Sequence, residues 1–128
     1  MNLKDDNEDL ISSLNQSLKE ITEIQKCLGN ENRLEILVLL LDKPKSYSFI
    51  VESLDLKKTA VSNHLTQLLE TNLIEKIDYG VYNITGDGLE FLKAINNAFH
   101  NSPSRKLERF EAMQSRGLSE SFLKRFDK

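Results

Sequence analysis

The sequence predicts a mainly α-helical fold with one small two-stranded β-hairpin and helical extensions at its N- and C-terminal ends. Three observations predict this fold. Apolar residues recur at helical spacing over most of the 128 residues. The link Asp55–Lys57 joins two of these helical segments and leaves room only for a tight turn. Further along, β-forming residues on both sides of Tyr79-Gly80 predict a hairpin.

Length and composition allow one domain, or a small domain with extensions. No apolar run approaches the ~18 residues that span a bilayer, and the acidic N-terminal segment MNLKDDNEDL does not resemble a signal peptide. The single cysteine, Cys27, rules out an internal disulfide. We therefore expect a protein of the reducing cytoplasm with no membrane partner.

The first helix is expected from Leu10 to Leu28, after polar and acidic residues 1–9 that are expected to fray. Its apolar residues alternate at spacings of three and four, which is a coiled-coil seam with one polar position at Gln25. Such a stripe is buried either against the chain's own core or against the same helix of a second copy. Its members are Ile11, Leu14, Leu18, Ile21 and Leu28, widened by Leu10 and Ile24.

The next two helices are predicted to build the core. Gly29-Asn30 breaks the first helix, and Asn30 or Asn32 is placed to cap the second. Residues 33–41 are apolar all round, which is typical of a buried helix. After a turn at 42–46, Ser46 or Ser48 can cap a short helix, with Tyr47 packed at its entrance. The apolar residues of this short helix are Phe49, Ile50, Val51 and Leu54.

The helix predicted over residues 58–71 has two chemically different sides. Apolar residues fall on one side and small polar residues on the other, with Ser62 and His64 on the flanks. Two helices on a short turn, the second with small polar side chains near its N-terminus, form a helix-turn-helix pattern. Such a polar side is slim enough for a DNA major groove about 12 Å wide. The apolar side holds Val61, Leu65, Leu68 and Leu69, and the polar side holds Thr59, Asn63, Thr66, Gln67 and Glu70.

This pattern predicts DNA contacts from the start of the helix. Between Leu56 and Leu69 the only charged groups are two lysines, provided that His64 is neutral. As hypotheses, Asn63 or Gln67 reads adenine, whereas the lysines and Ser62 position the DNA backbone. The full set of expected contacts is Lys57, Lys58, Thr59, Ser62, Asn63, His64 and Gln67.

Two flanking segments add weaker candidates. Lys45 and Ser46, before the short helix, are placed to contact phosphates, although a solvated basic loop explains them equally well. In the hairpin, Asp78 stands near the tip, where hairpins that enter a minor groove usually carry basic groups. Lys76 and Tyr79 are therefore the best candidates there.

The run LDLKKTAVSNHLTQLLETNLIEK resembles the ArsR-type winged-helix repressors and their archaeal relatives, whose pattern is roughly LgLsqstVSxHLxxLxeaGLv. Asn72 stands where that family has glycine, and asparagine also tolerates a left-handed helix end. The family's opening segment is similar to LGNENRLEILVLL, and the end of its wing is similar to VYNITGDGLEFL. In the opening segment, Arg33 could reach a phosphate or pair with an acid. The likeness covers about residues 28–95. The matching places are Leu54, Leu56, Val61, Ser62, His64, Leu65, Leu68, Glu70, Leu73 and Ile74.

The resemblance implies a winged helix-turn-helix that dimerises through its terminal helices. A homodimer also suits the two-fold symmetry of DNA half-sites. Thr85 is placed to cap a helix over Gly88–His100, whose apolar stripe could complete a dimer seam with the first helix. We expect a dimerisation helix over 1–28 and a DNA-binding domain over 29–100. The expected interface residues are Ile11, Leu14, Leu18, Ile21, Leu28, Leu92, Ile95 and Phe99.

Residues 101–128 are expected to form a basic amphipathic tail. Its basic residues Arg105, Lys106 and Arg109 are interleaved with Leu107, Phe110 and Met113. Arg116-Gly117 is expected to end its helix, and Ser119 to cap a last turn. That turn would hold Phe122, Leu123 and Phe126. So many large apolar residues are expected to dock on the subunit, on an effector pocket or on a partner.

The net charge of −3 is unevenly distributed. Residues 1–29 and 30–100 each carry −3, and residues 101–128 carry +3. Because DNA affinity depends on local charge, we expect modest, salt-sensitive binding to double-stranded DNA. The predicted function is a homodimeric, sequence-specific transcriptional regulator that acts as a repressor. The acidic total also fits an alternative, a winged-helix module that binds proteins instead of DNA.

No enzymatic or metal-binding constellation is visible in the sequence. ArsR-type metal sensors often carry thiolates on the helix before the DNA-reading helix, but Tyr47–Leu54 has no cysteine. Cys27, His64 and His100 show no ligand spacing, so no metal or cofactor is expected. Cys27 is either a redox switch or, as we prefer, a buried structural thiol.

Overall fold

The computed structural model describes the backbone of residues 3–126 and the side chains of residues 6–117. Over this range the chain is mainly helical with a small antiparallel sheet, which confirms the predicted winged helix-turn-helix fold. The chain divides into two compact units, Met1–Leu89 and Glu90–Lys128. The elements are α1 (Leu3–Leu28), α2 (Glu31–Leu39), β1 (Lys45–Ser46), α3 (Tyr47–Leu54), α4 (Lys58–Glu70), β2 (Ile74–Asp78), β3 (Val81–Ile84), α5 (Gly86–Asn101) and α6 (Pro103–Phe126).

The sheet contains the predicted hairpin and one strand that was not predicted. The strand order is β1-β3-β2, and both pairings are antiparallel. Tyr82 on β3 lies opposite Lys45 on one side and Lys76 on the other. Gly80 forms the hairpin turn with φ +65°, a left-handed conformation that favours glycine. The sheet therefore ties the segment before α3 to the wing.

The first unit is organised around a core that joins α2, α3, α4 and the start of β2. Apolar burial of this kind is the dominant stabilising term in a domain of this size. Helix α2 belongs to the core, as predicted, although one side of the segment stays in solvent: Val38 is 57% exposed and Leu41, just beyond the helix, is 48% exposed. The fully buried residues are Ile36, Leu37, Leu40, Ile50, Val61, Leu65, Leu68, Leu73 and Ile74.

Helix α1 begins at Leu3, earlier than predicted, and is interrupted at Ser17, where φ −126° and ψ 16° are not helical. The two halves bury their apolar residues differently. After Ser17, Cys27 and Leu28 are buried and Ile21 is half-buried within the chain. Before Ser17 and directly after it, four apolar side chains remain between 41% and 55% exposed. These are Leu10, Ile11, Leu14 and Leu18.

Local hydrogen bonds explain where the helices of the first unit begin and end. Asn30 caps α2 by accepting a bond from the Arg33 amide, and Ser46 caps α3 by accepting one from the Phe49 amide, each at 3.1 Å. Thr85 accepts a bond from the Gly88 amide at 3.0 Å, as predicted. Asn72 follows α4 with φ 59°, the left-handed conformation expected there.

In the second unit, α6 runs from Pro103 to Phe126 and passes through Gly117 without a break. The predicted helix end at Arg116-Gly117 is therefore wrong, and the predicted cap by Ser119 concerns a side chain outside the described residues. The Arg105 guanidinium lies 4.7 Å from the centroid of the Phe99 ring, and Arg109 donates to the His100 carbonyl. No helix within the described residues is both long and apolar enough to cross a bilayer.

Candidate nucleic-acid interface

Helix α4 has one buried side and one exposed polar side, as the sequence predicted. Val61, Leu65 and Leu68 are buried in the core and hold the helix in place. The opposite side exposes Lys57, Lys58, Thr59, Ser62, Asn63 and Thr66, while His64 and Gln67 are half-buried. The exposed side therefore offers two cations at its N-terminal end, followed by uncharged donors and acceptors.

Tyr47 at the start of α3 links this exposed side to the wing. Its hydroxyl lies 2.9 Å from the Lys58 carbonyl oxygen and 2.9 Å from Ser62 Oγ. Its backbone amide donates to the Gly80 carbonyl at 2.8 Å. The sequence predicted only that Tyr47 packs at the entrance of α3. Nothing in the local sequence around Tyr47 indicates a hydrogen bond to Ser62, which lies 15 residues further along the chain.

Arg33 joins the end of α1 to the flank of α4. Its Nε donates to the Cys27 carbonyl at 2.6 Å, and its Nη2 donates to the Lys26 carbonyl at 3.2 Å. Its Nη1 lies 3.4 Å from His64 Nδ1. The predicted partners of Arg33 were a phosphate or an acid, but in the structure it caps the last carbonyls of α1. Such a cap satisfies acceptors that a helix end leaves unpaired.

The surroundings of His64 favour the neutral form of its imidazole. Burial lowers the pKa of its imidazole below the ordinary value, and the positive charge of Arg33 lowers it further. A neutral imidazole fits the expectation that only lysines contribute charge to this side of α4. Because arginine can only donate hydrogen bonds, Nδ1 is the accepting nitrogen and Nε2 carries the proton.

Lys45 is placed differently from the other candidate lysines. Its side chain is 8% exposed, and its ammonium donates to the Asp42 carboxylate at 2.6 Å. The same hydrogen bond lowers the pKa of Asp42. The ammonium also lies 5.4 Å from the centroid of the Phe49 ring. Lys45 is thus occupied inside the subunit, and we leave it out of the contact surface that we propose below.

The wing and the start of α3 enclose a groove of about 460 Å³. It brings together three of the predicted contact residues, Ser46, Lys76 and Tyr79, beside Tyr47. Tyr79 is 99% exposed at the tip of the wing, and the Asp78 carboxylate accepts a bond from the Tyr79 amide at 2.7 Å. Tyr47 lines this groove and also contacts Ser62, so it connects the wing candidates to the α4 candidates.

The comparison with protein families matches residues 30–76 to the model described as "Bacterial regulatory protein, arsR family". The matched segment runs from the cap of α2 to the first residues of β2. It therefore contains the whole helix-turn-helix and all of the exposed side of α4.

Solved structures extend the similarity to about 70% of the chain. The homodimeric winged helix-turn-helix DNA-binding domain of Mb0332 from Mycobacterium bovis is 25% identical, with a TM-score of 0.59, and the match covers 71% of this chain and 89% of that one. Rv0081 from M. tuberculosis is 21% identical with a TM-score of 0.60, covering 70% and 95%. Reduced HlyU from Vibrio cholerae is 24% identical with a TM-score of 0.56, covering 70% and 98%. Because Rv0081 and HlyU are each less than 25% identical to this chain, these two similarities show the fold alone. A sequence comparison with curated proteins gives no match.

Proposed function

We propose that this protein is a homodimeric, sequence-specific DNA-binding regulator of transcription, acting as a repressor in the cytoplasm, and we propose no enzymatic role for it. The observation that carries the proposal is the two-sided burial of α4. One side is fixed in the core, and the other presents uncharged hydrogen-bonding groups behind two exposed lysines. A helix of this kind suits the major groove. The ArsR-family match and the homodimeric DNA-binding domain of Mb0332 support it.

The exposed residues of α4 divide into two proposed roles. Lys57 and Lys58 stand at the N-terminal end and contact phosphates, where charge is useful and sequence is not read. Asn63 is exposed on the outer side and forms paired hydrogen bonds with adenine. Gln67, which is half-buried, is the second candidate for that contact. Ser46, Lys76 and Tyr79 around the groove follow the backbone beside the wing, and Thr59 and His64 flank the reading residues.

The exposed apolar stripe of α1 is the proposed dimer interface. Leu14 and Leu18 leave large apolar surfaces in water in the single chain, together with Ile11. Pairing with a second copy would cover them, and two-fold symmetry would present two α4 helices to two half-sites. Leu28 is buried in its own subunit and is not part of this surface. In the second unit, Ile95 and Phe99 are exposed, so they remain interface candidates; the half-buried Ile21 and Leu92 are weaker ones.

A fluorescence titration with a labelled random-sequence duplex at 50 and 200 mM salt tests the proposal. Displacement of counterions by several phosphate contacts makes the affinity fall steeply with salt. A protein that makes about four such contacts should lose roughly a hundredfold in affinity over this range. No detectable binding even at the lower salt concentration would reject DNA binding and favour the protein-interaction alternative.

A further inference from the structure

The hydroxyl of Ser62 has a defined partner on the exposed side of α4. Ser62 Oγ lies 2.9 Å from the hydroxyl of Tyr47, which in turn lies 2.9 Å from the Lys58 carbonyl oxygen. Both contacts have the length of good hydrogen bonds. Ser62 itself is exposed, whereas Tyr47 is half-buried and anchored through its amide to Gly80. The serine therefore faces outward from a support that belongs to α3 and the wing.

The chemistry of these three groups decides the direction of each bond. A carbonyl oxygen can only accept, so the single phenolic proton of Tyr47 goes to the Lys58 carbonyl. The Tyr47 oxygen then has no proton for Ser62, and Ser62 must be the donor in the remaining bond. The Ser62 proton consequently points toward Tyr47. Only the lone pairs of Ser62 Oγ are left for anything that approaches from outside.

We infer that Tyr47 fixes Ser62 as a hydrogen-bond acceptor that reads an exocyclic amino group of adenine or cytosine in the major groove. This inference rests on the proposed DNA binding and makes it more specific. The adenine N6 and cytosine N4 amino groups are the hydrogen-bond donors that base edges offer there. Phosphate oxygens only accept, so a serine held in this way has no proton for them. Ser62 is then a specificity residue and Tyr47 is its positioning residue, which revises the expectation that Ser62 contacts the DNA backbone.

Tyr47→Phe separates this role from structural support. The variant removes one oxygen but keeps the ring and the backbone bond to Gly80. Without the phenol, the Ser62 hydroxyl can rotate and either donate or accept. The Tyr47→Phe protein should then accept guanine or thymine, whose base edges offer hydrogen-bond acceptors, at the position where the wild type requires an amino group. Ser62→Ala removes the contact altogether, and adding Tyr47→Phe to it should change nothing more, because both act through one hydroxyl.

The experiment is selection of bound duplexes from a random-sequence library, followed by sequencing, with the full chain. The variants are Tyr47→Phe, Ser62→Ala, the double variant and the control Ser53→Ala. The control removes an exposed serine hydroxyl of α3 that is not among the proposed contact residues. In wild type and Ser53→Ala, one position per half-site should favour adenine or cytosine. In the other three proteins that preference should fall about three- to tenfold, as expected for one hydrogen bond, while preferences elsewhere persist.

Three results would overturn the inference. The first is an unchanged preference at every position in Ser62→Ala, which is decisive even if Tyr47→Phe were to unfold. The second is a preference for guanine or thymine at the position that Ser62→Ala relaxes. The third is an equal loss on all sequences with a shallower salt dependence, which indicates a phosphate contact. A wild-type protein that selects no duplex would instead reject the proposed DNA binding, and the reading role with it.

Discussion

At the scale of single residues, Gly88 sets how closely the start of α5 approaches the sheet. A Cβ atom at this position would lie 2.3 Å from the Leu73 carbonyl oxygen and 2.8 Å from Ile84 Cγ1. Since backbone cannot yield as a flexible side chain does, Gly88→Ala should lower the free energy of unfolding by about 1–3 kcal/mol. Urea denaturation measures this loss. Gly86→Ala is the matched control, because its added Cβ would meet nothing within 4 Å, and equal effects of the two substitutions would contradict the prediction.

His64 makes stability depend on pH in a defined direction. Burial, followed by the charge of Arg33, lowers its pKa in the folded protein. The unfolded chain therefore binds a proton more readily, and stability should fall as the pH drops from about 6.5 toward the folded pKa. Arg33→Gln removes one of the two causes, so it should raise the pKa of His64 without restoring the ordinary value.

An NMR titration of the His64 ring measures its pKa in the wild type and in Arg33→Gln. Arg105→Gln is the control, because it removes an arginine whose guanidinium bonds to Glu108. The prediction fails if His64 titrates at the same pH in the wild type and in Arg33→Gln.

Asn63 is the side chain that we expect to carry most of the direct base reading. Replacing it with alanine should cost about 1–3 kcal/mol of binding free energy at one base position. Binding to unrelated duplexes should hardly change, because the phosphate contacts of the lysines are retained. Competition titrations with single-base variants of a selected duplex provide the measurement. An equal loss on every sequence would assign Asn63 to the backbone instead.

At the scale of elements, the N-terminal end of α4 should dominate the salt dependence of binding. Lys57 and Lys58 are the exposed cations at this end. Lys58→Ala should weaken binding to all duplexes and reduce the slope of log K against log salt by about one. Lys93→Ala, which removes an exposed lysine from α5, is the control. A slope that stays the same in Lys58→Ala would place this lysine outside the interface.

The elements also show which parts of the fold the sequence could predict. The two sides of α4 and the caps at Asn30, Ser46 and Thr85 follow from local spacing, since the partners lie within a few residues. Strand β1 is two residues long and exists only because β3 lies beside it. A strand of that length has no periodicity to detect.

The missed features of the candidate interface have the same physical origin. The hydrogen bond between Ser62 and Tyr47 joins residues 15 positions apart, and the one between Arg33 and His64 joins residues 31 positions apart. Each depends on how α3 and α2 pack against α4. At Gly117 the local rule was itself misleading, because a helix can pass through glycine at a cost of about 1 kcal/mol.

At the scale of the whole molecule, the acidic total and the proposed DNA binding are compatible because the charges are segregated. Residues 1–29 carry −3, and α1 in this region is assigned to the dimer rather than to DNA. On the exposed side of α4 the first carboxylate, Glu70, comes at the end of the helix that lies away from Lys57 and Lys58. Local charge, which governs phosphate contacts, is therefore positive at the N-terminal end of α4, where the lysine contacts are proposed.

The dimer is the property of the whole molecule on which half-site recognition depends. Leu14 and Leu18 are 41% and 53% exposed in the single chain, on the stripe that we assign to the partner. Replacing both with glutamate should give a folded monomer, because neither side chain belongs to the buried core. Sedimentation velocity measures the mass, and the monomer should bind a selected two-half-site duplex much more weakly than the wild type does, since the second half-site contact is lost.

Gln16→Glu is the control for the added charge. Gln16 lies on α1 between the two leucines in sequence but faces away from their stripe at helical spacing. The Gln16→Glu variant should have the same mass in solution and the same affinity for the two-half-site duplex as the wild type. If the double glutamate variant sediments as the wild type does, the first half of α1 is not the dimer interface. The exposed residues of α5, Ile95 and Phe99, would then be the next surface to test, because a symmetric reader of two half-sites still requires a partner contact.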